Sequence, residues 1–278
     1  MRRLALFAVV IEATFGAHIL MNTGCGDQTF PPHPIPSSTY GVGRESIPHS
    51  WPWRVILRYR TSTLTCGGVL IRNNDGQLVV LTAAHCVDGT ENRPGDWTID
   101  TGVHSRSANE QNQRSYYVQS IISHNQYNSR TFDNDITIMK LSQTVIENDD
   151  VSPICLTSVP SRDYWYQLCV VTGWGTTSEV GSTSDRLQEV YKRVLPDAEC
   201  TNYFGAAYNP ITMLCAGAAA GGHEFCQGDS GGPLACINSY GLWDLIGISS
   251  WGYGCAGQSL PSVYADVYNY LTWISNNA

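Results

Sequence analysis

From Trp51 onward the chain alternates short apolar runs with clusters of turn residues. Arg54-Val55-Ile56-Leu57, Val69-Leu70-Ile71, Leu78-Val79-Val80-Leu81, Tyr117 to Ile122 and Ile136 to Met139 are rich in β-branched side chains and too short for helices. Asn73-Asn74-Asp75-Gly76 is typical of the punctuation between them. After Asp149-Asp150 a second series begins: Leu168 to Val171, Leu187 to Val190, Leu234 to Ile237, Leu245 to Ile248 and Val263-Tyr264. Repeated strands broken by turns predict an all-β chain, either sandwich or barrel. Only the C-terminus changes period. Val267, Tyr270, Leu271 and Ile274 fall at helical spacing, with Trp273 beside them, and predict a short amphipathic helix. Residues 26–43 show no apolar period and are dominated by Pro, Ser and Gly. They read as an extended linker or pro-segment, or as an ordered arm tied at Cys25.

Composition narrows the classes. Sixteen Lys and Arg against 24 Asp and Glu give a net charge of −8, which argues against a nucleic-acid partner. Ten cysteines spread along the chain indicate an oxidising compartment. At the N-terminus, Arg2 and Arg3 precede an apolar run from Leu4 to Ile11, and small residues follow at Ala13, Gly16 and Ala17. This is the order of a secretory signal peptide, expected to span residues 1–17, and the run is too short for a membrane anchor. No Cys-x-x-Cys pair occurs, so no zinc site is expected. The stretch Val103 to Gln113 holds one carboxylate, Glu110, too few for a calcium loop.

Three stretches could carry chemistry. Leu81-Thr82-Ala83-Ala84-His85-Cys86 ends a strand in small residues and presents a histidine. Asp133-Asn134-Asp135-Ile136 leads an acidic residue into a strand. Gly228-Asp229-Ser230-Gly231-Gly232-Pro233 sets a serine among glycines. Alone, the first two are ordinary: a structural His beside a Cys, and turn residues before a strand. The third is more specific, because glycines let backbone N–H groups approach a ligand closely. Together they gain meaning. A serine hydroxyl needs a base to become a nucleophile, histidine is suited to that role, and a carboxylate fixes the histidine tautomer. His, Asp, Ser is one of the known chain orders for this arrangement.

With these residues the sequence resembles the trypsin/chymotrypsin family of serine endopeptidases, and the resemblance runs from about Cys25 to Ala278. It is carried by Ser50-Trp51-Pro52-Trp53, Cys66-Gly67-Gly68, Thr82 to Cys86, Asn134-Asp135-Ile136, Val171 to Gly175, Cys226 to Pro233, Ser250-Trp251-Gly252 and Pro261 to Tyr264. The resemblance implies two six-stranded antiparallel β-barrels with the active site between them: a pro-segment at 18–39 and a protease domain at 40–278, its first barrel about 40–150 and its second about 151–278. It implies catalytic roles for His85, Asp135 and Ser230, and an oxyanion hole made by the N–H groups of Gly228 and Ser230. Ser250, Trp251 and Gly252 would form the strand that pairs with substrate backbone. The family's disulfides would be Cys66–Cys86, Cys169–Cys236, Cys200–Cys215, Cys226–Cys255 and Cys25–Cys155, the last resembling the chymotrypsin and pancreatic-elastase branch. The implied partners are a protein or peptide substrate and protein protease inhibitors. A monomer outside the cell is expected, with no cofactor, metal, nucleic acid or membrane.

Two positions depart from the pattern. Family members are usually cut after Arg or Lys to expose an aliphatic terminus, whose α-amino group pairs with the Asp before the nucleophile. Here the junction falls at Thr39-Tyr40, ahead of Gly41-Val42-Gly43, so either a Tyr40 terminus serves Asp229, or a different cut is used, or the protein stays zymogen-like. The specificity-pocket floor, six residues before Ser230, is Glu224, followed by Phe225, with Gly252 at the mouth and Ser262 on the far wall. Glu224 either pairs with a substrate Lys or Arg, or turns to solvent and leaves a pocket for long apolar side chains. Two other functional readings differ in class. A catalytically silent or zymogen-locked homologue acting as a protein-binding module is favoured by the odd junction. An α/β-hydrolase lipase or esterase is disfavoured, because those place the His last in the chain.

Overall fold

The computed structural model describes residues 24–36, 43–62, 64–175, 182–217, 229–252 and 260–278. A two-residue strand β1 (Arg44–Glu45) opens the body of the molecule. Then β2 (Arg54–Tyr59), β3 (Cys66–Arg72), β4 (Leu78–Thr82), β5 (Trp97–Thr101), β6 (Arg114–Ser123) and β7 (Thr137–Leu141) close an antiparallel barrel in the order β2-β3-β4-β7-β6-β5. After a short β8 (Cys155–Leu156), a second barrel is built from β9 (Leu168–Gly173), β10 (Gln188–Leu195), β11 (Met213–Gly217), β12 (Pro233–Ile237), β13 (Trp243–Trp251) and β14 (Ser262–Asp266). Its order is β10-β11-β14-β13-β12-β9, and pairing of β9 with β10 closes it. The chain is thus two closed six-stranded antiparallel barrels, with β1 added to the edge of β10 and β8 lying parallel to β13.

The strands follow from the apolar runs. Val55, Leu57, Val69, Ile71, Val80 and Ile138 are buried in the first barrel, and Val171, Val190, Leu234, Ile246 and Tyr264 in the second. Three elements gave little signal. Strand β5, Trp-Thr-Ile-Asp-Thr, and strand β11 carry short or polar-interrupted patterns, and helix α1 (Asp197–Phe204) buries only Cys200 and Phe204. The terminal helix α2 (Leu271–Asn277) follows a single 3₁₀ turn over Val267–Tyr270, and Val267, Tyr270 and Ile274 are the residues it buries.

The glycine-rich strand β3 shows why Cys66-Gly67-Gly68 has that composition. A Cβ at Gly68 would lie 2.8 Å from Leu57 Cδ1 and 2.8 Å from Val80 Cγ1, inside the barrel. A Cβ at Gly67 would lie 2.6 Å from both terminal nitrogens of Arg54, a guanidinium only 1% exposed.

Residues 24–36 form an ordered arm laid over both barrels, not a free linker. Cys25 is bonded to Cys155, Gly26 exchanges backbone hydrogen bonds with Pro153 and Trp243, and the Trp243 indole donates to Gln28 Oε1 at 2.8 Å. The disulfides Cys66–Cys86, Cys169–Cys236 and Cys200–Cys215 are also formed. The expected Cys226–Cys255 pair lies outside the described residues. Among the described residues no helix is long and apolar enough to cross a membrane.

Gly68→Ala is expected to lower stability by about 1–3 kcal/mol through overpacking, whereas Gly95→Ala, where a Cβ meets nothing within 4 Å, stays within about 0.5 kcal/mol of the parent. Urea unfolding of the two variants beside the parent measures both.

Candidate active site

Strand β4 ends at Thr82 and runs into a single 3₁₀ turn, Ala84–Cys86, which carries His85 out of the first barrel. The Cys66–Cys86 bridge anchors that turn to the start of β3. Asp135 arrives from the other side, just before β7. The turn ahead of it places Asn134 at φ 56°, a conformation that Asn tolerates better than most residues. The Asn134 amide donates to the Gln126 carbonyl at 3.1 Å.

The two side chains meet. His85 Nδ1 lies 2.8 Å from Asp135 Oδ2, and the His85 backbone N–H donates to Asp135 Oδ1 at 2.9 Å. The Asp135 side chain has no exposed surface, while the His85 side chain keeps 22%. Because a carboxylate only accepts, this pairing puts the imidazole proton on Nδ1 and leaves the Nε2 lone pair for another partner. Phe132 lies edge-on to the imidazole, with ring centroids 5.8 Å apart.

The second barrel completes the surroundings of Asp135. Ser250, read from the sequence only as part of a substrate-pairing strand, donates its hydroxyl to Asp135 Oδ2 at 2.5 Å. No pattern in the sequence signals this, since Ser250 and Asp135 are 115 residues apart. Asp133 supports the same loop across the interface, accepting from the Asn209 amide at 2.9 Å and from the Thr212 hydroxyl at 2.7 Å.

Ser230 sits in the seam between the barrels. Its carbonyl accepts from Gly67 N at 2.9 Å, Gly231 N donates to the Ser249 carbonyl at 2.8 Å, and Ser249 N donates to the Gly232 carbonyl at 2.8 Å. Gly231 has φ 78°, and a Cβ there would overlap the Thr82 hydroxyl and lie 2.5 Å from the Gly67 carbonyl. The serine's own backbone is therefore pinned between β3, whose Cys66 is bonded to Cys86 beside His85, and β13, the strand that carries Ser250. Among the described residues no hydrogen bond joins Ser230 to His85. Such contacts often close only when substrate binds.

Asp229, the residue before Ser230, is 4% exposed. Burial pushes its carboxyl up to about 7, while the Gly175 N–H, which donates to Oδ1 at 2.9 Å, and the cations Arg54 and Lys192 pull it back. Gly252 and Ser262 are close neighbours: a Cβ on Gly252 would lie 3.7 Å from Ser262 Cα. Behind Ser262 the structure adds Lys192, a buried lysine that sequence reading missed. Its ammonium donates to the Ser262 hydroxyl at 2.8 Å. Lys192 lies within the run Leu187 to Leu195, where nothing marks which face its side chain takes. Trp251 packs edge-on to Phe204, with centroids 5.1 Å apart. Tyr40, Glu224 and Gly228 lie outside the described residues. Cys66, Cys86 and His85 cluster tightly, but both sulfurs are spent in their disulfide and supply no thiolate for a metal.

Comparison with known proteins agrees with this geometry. Residues 40–274 match the family model described as Trypsin. Trypsin-1 of Astacus astacus is 41% identical over 215 residues, covering 77% of this chain and 87% of its own length. Coagulation factor XI of Bos taurus is 35% identical over 84% of this chain, and Transmembrane protease serine 9 of Rattus norvegicus 39% identical over 82%. The chain spans only 36% and 20% of those two longer proteins. Two barrels meeting at a His–Asp pair, and a family match along most of the chain, lead to one conclusion: the protein belongs to the trypsin family and is a serine-type endopeptidase.

Proposed function

We propose that this is a secreted endopeptidase, made with a signal peptide at 1–17 and a pro-segment at 18–39, that cuts proteins or peptides through an acyl-enzyme on Ser230. The observation that carries the reading is the buried Asp135 carboxylate bonded to both the ring and the backbone of His85. In this mechanism His85 Nε2 takes the Ser230 proton as Oγ adds to the scissile carbonyl carbon. Asp135 holds the ring in place and stabilises the imidazolium. The carbonyl oxygen becomes an oxyanion, received by the N–H groups of Gly228 and Ser230. Collapse of the tetrahedral intermediate breaks the C–N bond, and His85 returns the proton to the departing amine. Water then repeats the sequence on the ester, with His85 again as base, and frees Ser230. Every step is proton transfer and acyl transfer, so no cofactor is required.

The substrate would pair its backbone with the Ser250-Trp251-Gly252 stretch and insert one side chain between Gly252 and Ser262 toward Glu224. The Lys192 ammonium on Ser262 brings positive charge to that end of the pocket. It weakens the case for a pocket that selects Lys or Arg through Glu224 and favours long apolar side chains. Protein protease inhibitors would bind the same face, and the enzyme would act as a monomer outside the cell. A silent homologue is the second reading, favoured by the Thr39-Tyr40 junction, which lacks the usual basic residue.

A fluorophosphonate probe is expected to label the native, secreted protein at Ser230, with labelling abolished in Ser230→Ala. A native protein that never reacts is the silent homologue. Asp135→Asn is expected to lower kcat by about 10⁴-fold, as in other Ser-His-Asp triads, while circular dichroism stays unchanged. On matched peptides differing only at the residue before the cut bond, Phe and Leu are expected to be cleaved faster than Arg. An Arg preference that disappears in Glu224→Ser would establish the charged pocket instead.

A further inference from the structure

A guanidinium with almost no contact with water needs a reason to be there. Arg54 opens barrel strand β2, 1% exposed, where an apolar or neutral residue would cost less. Its Nη1 donates to the Gly68 carbonyl at 2.9 Å, and its guanidinium carbon lies 5.3 Å from the Trp174 ring centroid. Its Nε and Nη2 have no hydrogen-bond partner among the described residues. Asp229 presents the complementary defect: Oδ1 is bonded to Gly175, and Oδ2 has no partner among the described residues.

These two defects lie beside the same glycine. A Cβ built on Gly173 would overlap Asp229 Oδ1 and lie 3.2 Å from Arg54 Nη2, so both groups crowd the same glycine. A Cβ on Gly232 would lie 2.9 Å from Arg54 Nη1 and 2.9 Å from the Asp229 carbonyl. The guanidinium therefore lies close to Gly232, after Ser230, and in the neighbourhood of Asp229, before it. Three glycines, Gly67, Gly173 and Gly232, leave the room it occupies. A buried carboxylate and a buried cation this close are each far cheaper together than alone. Among the described residues the charged groups acting on Asp229 are Arg54 from β2 and Lys192 from β10. Lys192 is engaged with Ser262, whereas Arg54 Nη2 lies beside the carboxylate across Gly173 and acts on it through its charge, without a direct ion pair.

We propose that Arg54 is a built-in counter-cation for Asp229: a positioning residue that holds the Ser230 loop from the first barrel, so that an ordered nucleophile does not depend on an α-amino group freed by chain cleavage. The inference rests on Ser230 being the nucleophile. It also gives the Thr39-Tyr40 junction a physical meaning, because a chain with its own internal cation is released from the need for a particular new terminus.

The test uses the full pro-form, with the bonds between residues 36 and 43 shown intact by mass spectrometry, beside the processed protein. Fluorophosphonate labelling of Ser230 in the intact pro-form is expected within about tenfold of the processed form. Arg54→Gln is expected to lower pro-form labelling at least tenfold, and Arg54→Lys to restore most of it. Processed protein that labels beside a pro-form that does not would overturn the inference while leaving the catalytic reading intact. Failure of both forms would overturn both.

A second readout separates charge from packing. The Asp229 carboxyl is raised from 3.8 to about 7, so the native state holds its proton longer than the unfolded chain. Stability contributed by the protonated carboxyl is present below about pH 4 and is lost as pH rises toward about 7. In Arg54→Gln that loss is expected to extend to higher pH, and in Asp229→Asn to vanish. A melting profile whose pH window does not move in Arg54→Gln would reduce Arg54 to a packing residue and end the proposal.

Discussion

The active site depends on one carboxylate that water cannot reach. Asp135 has no exposed side-chain surface, yet it accepts from His85 Nδ1, from the His85 backbone N–H and from the Ser250 hydroxyl. A buried anion is tolerated only when its lone pairs are met, and hydrogen bonds to a charged group are worth about 1.5–3 kcal/mol each. Two of these donors come from the first barrel and one from the second. The charge therefore does more than orient an imidazole. It makes correct docking of the barrels a condition of its own burial, and Asn209 and Thr212 repeat the device two residues away on Asp133.

The barrels themselves are chemically inert. Their interiors are mostly Val, Ile, Leu and Trp, and each ring of strands closes on itself. What they supply is rigidity and a seam. His85 and Asp135 leave the first barrel on connections at the ends of β4 and β7, and Ser230 lies just ahead of β12 in the second. The three candidate catalytic residues thus stand on connections whose roots are fixed by two hydrogen-bonded rings. The same seam receives Arg54, a charge that belongs by sequence to one ring and lies against Trp174 and beside Gly232 of the other half.

Much of this was legible in residue order. Runs of β-branched residues marked ten of the strands, because a half-buried pleated surface selects those side chains. The helical spacing of Val267, Tyr270 and Ile274 marked the C-terminal turn and helix. His85, Asp135 and Ser230 stood out because their chemistry requires small neighbours, a turn and glycines, and these are local features. Strand β5 escaped notice because Thr98 and Thr101 interrupt its apolar pattern, and its pairing with β2 and β6 is what makes it a strand.

By itself the sequence determined the class of fold and the family, and singled out the candidate reacting groups, since periodicity and motif spacing are written along the chain. Only the tertiary structure decided who neutralises whom. Ser250 on Asp135, Lys192 on Ser262 and Arg54 beside Asp229 join positions that are far apart in the chain. In each case the strand period permits either face, and the choice is made by where a buried charge finds its partner, a question of distance and dielectric that no linear pattern encodes.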